Sequence, residues 1–202
     1  MKKGISAVAA GVFSLSLLGA VWAQQAPAGG SFKGFNVYTD ARAKDNHFIP
    51  SGWMGDWGDI KLNDRYAVNP KNGTTAIQII YNGKGAQGAN WAGIYWQNPP
   101  NNWGTRPGGY DLTGAKRVTF WARGEKGGER IEEFKIGGIT GEYADSDVAG
   151  IGPVVLTQDW QQYTIDLEGK DLSYISGGFC WATNIDVNPE GCTFYLDDIR
   201  YE

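Results

Sequence analysis

The chain has 202 residues, of which 42% are hydrophobic and 20% charged, with 30 glycines, nine tryptophans, one histidine and a formal net charge of −4. That length holds a domain with a real core and excludes a disulfide miniprotein, while the aromatic content of 13% excludes a disordered chain. A negative net charge without clustered Lys or Arg excludes a nucleic-acid binder, and the scarcity of Ala-, Leu-, Glu- and Lys-rich stretches excludes a helical bundle.

Residues 1–23 have the three parts of a secretory signal: Lys2 and Lys3, an apolar stretch from Ile5 to Leu18, and small residues around Val21 and Ala23. An uncleaved anchor is the alternative, although the apolar stretch is short for one. The expected mature protein is secreted or periplasmic, without membrane insertion. It has a flexible lead at 24–33 and one domain over 34–202. In an oxidising compartment, Cys180 and Cys192 are most simply a disulfide, closing what reads as a hairpin across 184–190 and contributing about 3 kcal/mol. Two cysteines and a distant His47 lack the ligand spacing of a zinc site.

Short runs of alternating apolar and polar residues, bounded by Gly, Pro, Asn or Asp, predict strands near 35–38, 66–68, 75–81, 91–96, 117–123, 132–136, 154–156, 162–166, 179–183 and 193–201. No segment has the period of an amphipathic helix. The pattern therefore predicts an all-β fold, a two-sheet antiparallel β-sandwich with jelly-roll topology. The irregular stretches 40–63 and 97–113 are the expected functional loops.

Alternation also sorts side chains by face. In 117–123, Val118, Phe120 and Ala122 share one side while Thr119, Trp121 and Arg123 share the other; in 91–97, Ala92, Ile94 and Trp96 lie opposite Trp91, Tyr95 and Gln97. Glu133 and Lys135 oppose Phe134 and Ile136, and Trp181 opposes Cys180 and Ala182. If these strands are neighbours, one sheet face presents Trp91, Tyr95, Gln97, Trp121, Arg123 and Trp181 together, with Trp53 and Trp103 on glycine-flanked loops as a rim. Indole faces and side-chain hydrogen-bonding groups suit a sugar ring and its hydroxyls, although large aromatics also pack cores.

Aspartates recur at strand ends, among them Asp40, Asp197 and Asp198, an oxygen-rich set that suits a hard ion such as calcium or, equally, the capping of turns. His47 lies in no nucleophile motif, and no phosphate loop, dinucleotide fingerprint or metalloprotease motif is present. A glycosidase or lyase would need paired carboxylates. Glu129, Glu132 and Glu133 are the nearest to a cluster, yet adjacent strand residues face opposite sides.

The sequence resembles non-catalytic carbohydrate-binding modules of the β-jelly-roll, or galactose-binding-like, type. The resemblance is carried by the run from Tyr110 to Gly124 with its Val118-Thr-Phe-Trp121 strand, by Phe134-Lys-Ile-Gly137, by Trp160-Gln-Gln-Tyr163, and by the ending Phe194-Tyr-Leu-Asp-Asp198. It implies a concave sheet binding a polysaccharide or other glycan, no catalysis, and a structural calcium joining the N-terminal region, through Asp40, to Asp197 or Asp198 on the last strand. A self-associating cell-surface or extracellular-assembly subunit is the alternative on the same scaffold.

Overall fold

The computed structural model describes residues 32–202, so the expected signal and most of the lead lie outside the described residues. Thirteen strands follow in chain order: β1 Phe35–Tyr38, β2 Ile49–Gly55, β3 Ile60–Tyr66, β4 Ala76–Tyr81, β5 Trp91–Gln97, β6 Arg117–Gly124, β7 Arg130–Ile131, β8 Glu133–Gly137, β9 Val148–Ile151, β10 Val154–Val155, β11 Gln161–Asp166, β12 Gly177–Asn184 and β13 Cys192–Tyr201. One 3-10 turn, Trp57–Asp59, interrupts them. The first sheet has the order β11-β6-β13-β4-β3 with β1 against the end of β13, the second has the order β2-β5-β12-β8-β9, and β7 pairs with β10. All these strand pairs are antiparallel, as expected of the two-sheet jelly roll.

The core is the interdigitation of the two inner faces. Val118, Phe120 and Ala122 of β6 and Phe194 and Leu196 of β13 come from the first sheet, and Ile94, Trp96, Phe134, Phe179 and Trp181 from the second; all are buried. The Phe120 ring lies 4.8 Å from Phe134 and 5.1 Å from Phe179, and Trp181 stands edge-on to Phe194 at 5.0 Å. On β13 a bulge at Asp197 and Asp198, where Asp198 has φ 45°, resets the alternation so that Ile199 and Tyr201 also point inward.

Several sequence expectations change. The stretch 40–63 is not wholly loop: it contains β2, whose Pro50, Gly52 and Gly55 break the strand signal but are tolerated on an edge strand. The strand expected at 66–68 runs earlier, over β3. Cys180 and Cys192 are free, because β12 and β13 belong to opposite sheets. The connection between them crosses the sandwich instead of closing a hairpin, leaving Cys180 on the outer face of the second sheet against Tyr95 and Ile139, and Cys192 in the main core. Trp181 lies on the side of β12 opposite Cys180, as alternation requires, but that side is the core, where it is 0% exposed.

Truncating Trp181 to Ala should therefore destabilise the fold by about 3–5 kcal/mol in denaturant titration, whereas Trp91→Ala, at an exposed position, should change stability by less than about 1 kcal/mol. Thiol titration of the unfolded chain without reductant should find both cysteines, and reductant should leave the melting temperature unchanged.

Candidate functional site

The residues singled out as one platform lie on three different surfaces. Trp91, Tyr95 and Gln97 point outward from β5 in the second sheet, Trp121 and Arg123 point outward from β6 in the first, and Trp181 is in the core. Trp53 pairs with Ile94 on the inward register of β2 but sits on the sheet edge and is 38% exposed.

On the outer face of the second sheet, strand register aligns Met54, Gly93, Ala182 and Glu133 in one row across four strands, and Gly52, Tyr95, Cys180, Lys135 and Gly150 in the next. The first row is a trough. Its floor is half-buried Met54 and Ala182 with Gly93 buried between them, and its flanks are Trp91 and Trp103, 41% and 40% exposed. A side chain at Gly93 would put its Cβ 2.5 Å from the Trp181 carbonyl oxygen, so packing between adjacent strands excludes one there, and the Met54 Cε, 3.1 Å from that Cβ position, covers the buried glycine. Trp91 and Tyr95, four residues apart on β5, are about 13 Å apart along the strand.

The second row is covered and serves as the wall. Tyr95 is buried, its hydroxyl donates to the Gly137 carbonyl at 3.0 Å, and burial pushes its phenol well above the usual range. Trp103 stands edge-on against the Tyr95 ring at 6.0 Å. Gln97 is fully buried; it donates from Nε2 to the Asn102 carbonyl and accepts from the Ser51 hydroxyl, which fastens the loop carrying Trp103. Gly104 of that loop approaches Thr140 and Gly141 so closely that a Cβ would fall 2.0 Å from the Thr140 carbonyl oxygen, and Tyr143 N–H donates to the Gly104 carbonyl. Tyr95 and Gln97 therefore position Trp103 and do not themselves face solvent.

Lys135 Nζ lies 2.7 Å from the Glu133 carboxylate and 5.6 Å from the centre of the Tyr95 ring, which sets one charged pair on the trough's far wall. Beyond it is a cavity of about 370 Å³ lined by Glu132, Glu133, Gly150, Ile151 and Gly152. Met54, Gly93 and Ala182 were missed in the sequence, because apolar and small residues of this kind carry no chemical signature of a site. Glu133 and Lys135 were visible by alternation.

Asp40, Asp197 and Asp198 do come together around one loop, residues 69–75. The Asp197 carboxylate, buried, accepts the backbone N–H groups of Lys71, Asn72 and Asp198. Asp198 accepts the Asn72 side-chain amide, and Asp40 accepts Thr74 N–H and the Thr74 and Thr75 hydroxyls. Burial, with the Asp198 charge adding, raises the Asp197 carboxyl to about 6. Hydrogens already point at these oxygens, and among the described residues no three acidic, histidine or cysteine side chains converge as a cation-binding group. As placed, the three carboxylates act as a hydrogen-bonded clasp on the loop. A chelator should leave the melting temperature unchanged, whereas an ion bound only by the folded state would make it fall by several degrees.

No family model and no curated protein sequence matches the chain. Solved structures do. A family 30 carbohydrate-binding module aligns over 85% of this chain and 89% of its own with a TM-score of 0.57 and 16% identity. A family 11 carbohydrate-binding module of a cellulosomal cellulase of Clostridium thermocellum aligns over 85% and 95% with a TM-score of 0.53 and 12% identity. The fold is the jelly roll of carbohydrate-binding modules. At such identity the likeness concerns backbone architecture, and the trough's own residues must argue its function.

Proposed function

We propose that this protein is an exported, non-catalytic glycan-binding protein, and that the trough over Met54 and Ala182, between Trp91 and Trp103, takes a polysaccharide chain. The observation that carries the reading is the pairing of two exposed indoles with a low floor of half-buried Met54 and Ala182, beside the Lys135–Glu133 pair. A pyranose presents apolar C–H faces to indole rings and hydroxyls to charged and polar groups, so a flat floor with aromatic flanks matches its shape and its chemistry. The solved structures of like fold are carbohydrate-binding modules, which supports the same reading.

The state of the acids supports binding without hydrolysis. Glu133 is paired with Lys135 and Glu132 with Arg130 at 2.8 Å, while Glu129 is buried and accepts the Lys126 N–H. The three glutamates thus form no carboxylate pair across the trough, as a glycosidase would need. His47 is stacked on Phe35 at 3.8 Å with Nδ1 at 3.1 Å from the Asn36 carbonyl oxygen, within an aromatic cluster that also holds Tyr110.

A self-associating subunit is favoured by one feature, the exposed Ile49 and Trp53 on edge strand β2 with Trp57 just after it. Titration calorimetry against cellohexaose, mannohexaose and xylohexaose, with sedimentation of the same samples, separates the readings. At least one oligosaccharide should bind the monomer, and Trp91→Ala should weaken it at least about tenfold without unfolding the protein. Ala182→Leu, which raises the floor, should do the same. Absence of binding with concentration-dependent assembly would replace glycan binding by the assembly role.

A further inference from the structure

The outer face of the first sheet carries chemistry that the trough does not use. Outward from β6 stand Trp121 and Arg123; strand register sets Gln162 beside Trp121, and extends the Arg123 row through Tyr195, Gln78 and Asn63. Lys71 Nζ lies 3.9 Å from the centre of the Trp121 ring. The Arg123 guanidinium lies 3.8 Å from the Tyr195 ring and 5.3 Å from Trp160. Among the described residues neither cation is in a salt bridge.

Arg123 is the unusual member. It is only 8% exposed, its Nε has no acceptor, and its one hydrogen bond is a long one, 3.4 Å, to the Gly124 carbonyl. The acids of the same face are engaged elsewhere: Asp197 accepts backbone N–H groups from the 69–75 loop, and Glu125 accepts the Tyr195 hydroxyl. A guanidinium largely removed from water without an anion carries a desolvation penalty that ring contacts offset only in part. Two unneutralised cations, set among indole and phenol rings and flanked by side-chain amides, are complementary to a sugar that bears a carboxylate.

We propose that this face is a second binding surface, opposite the trough, for a uronic-acid-bearing polysaccharide. The carboxylate takes the Nη N–H groups of Arg123 with Lys71 beside it, a sugar ring packs on Trp160, and Gln78 and Gln162 meet the hydroxyls. Because the chain as a whole is negative, a bare polyanion gains nothing from long-range attraction, and recognition depends on these local contacts.

The test is titration of the full chain with hexagalacturonate at low salt, alongside cellohexaose, mannohexaose and xylohexaose. Hexagalacturonate should bind, should weaken in about 0.5 M salt, and should lose about tenfold in affinity in Arg123→Gln and in Lys71→Ala, while the neutral sugars keep theirs in both variants. Trp91→Ala should have the reverse pattern. No binding of hexagalacturonate, or binding that depends on Trp91 and is indifferent to Arg123 and Lys71, overturns the second surface and leaves the trough standing. Binding of hexagalacturonate alone, with no neutral sugar bound, overturns the trough as a neutral-glycan site and leaves this surface. If Arg123→Gln fails to fold, Lys71→Ala, at a half-exposed position, decides the matter.

Discussion

Aspartate carboxylates that accept several backbone N–H groups at once hold this protein's loops, and through them its binding surfaces. Asp56 takes Gln87, Ala89 and Asn90; Asp59 takes Lys84 and Ala86; Asp145 takes Ile139, Ser176 and Gly177; Asp197 takes Lys71 and Asn72. A jelly roll needs long connections at both ends of its sheets, and each leaves N–H groups that no strand ladder can satisfy. A charged acceptor answers two or three of them together and fixes the loop's path. Asp56 matters most for the trough, since the loop it gathers leads directly into Trp91, and its own N–H donates to the Trp91 carbonyl at 2.7 Å.

The balance of burial against donors differs among these acids. For Asp56, burial alone would raise the carboxyl, but the N–H groups of Ala89, Gln87, Asn90 and Gly88 outweigh it and hold the group below its ordinary value. The stability it contributes is present above the unfolded carboxylate value and is lost as the pH falls through the lowered folded one. For Asp197 burial wins, aided by the adjacent Asp198, and the carboxyl rises to about 6. Its ionisation withdraws stability as the pH climbs from about 4 toward that value. The two clasps therefore respond to acid in opposite senses, and the loop beside Trp91 is the one secured at neutral pH.

Much of the architecture was legible because alternation is a local property. The inward positions of β6, Val118, Phe120 and Ala122, and of β5, Ala92, Ile94 and Trp96, follow from a period of two alone. Alternation states which residues share a face, however, and is silent on which sheet owns the strand and which face is the core. Hence Trp121 and Trp91, each correctly read as opposite the apolar side of its strand, lie on opposite faces of the molecule, and Trp181 lies between the sheets. The same silence hid the crossover after β12, where the Asn184–Gly191 connection looked like a hairpin and suggested a disulfide. Strand β2 escaped for another reason: Pro50 and its glycines read as loop, and only an edge position makes them compatible with a strand.

Backbone likeness to carbohydrate-binding modules at 12–16% identity has a physical basis in this division of faces. Inward positions must fill a common space with apolar volume, a demand that many sequences meet, whereas outward positions carry no such demand and are free to specify a ligand. Gly93 shows where the two requirements meet. Its missing side chain is dictated by the Trp181 carbonyl on the neighbouring strand, which is a packing constraint, and the result is a low floor where Met54 and Ala182 form the outer surface. Arg123 shows the other case: its guanidinium, 3.8 Å from the Tyr195 ring and 5.3 Å from the Trp160 ring, is desolvated and without an anion, and the proposed second surface gives that placement a use.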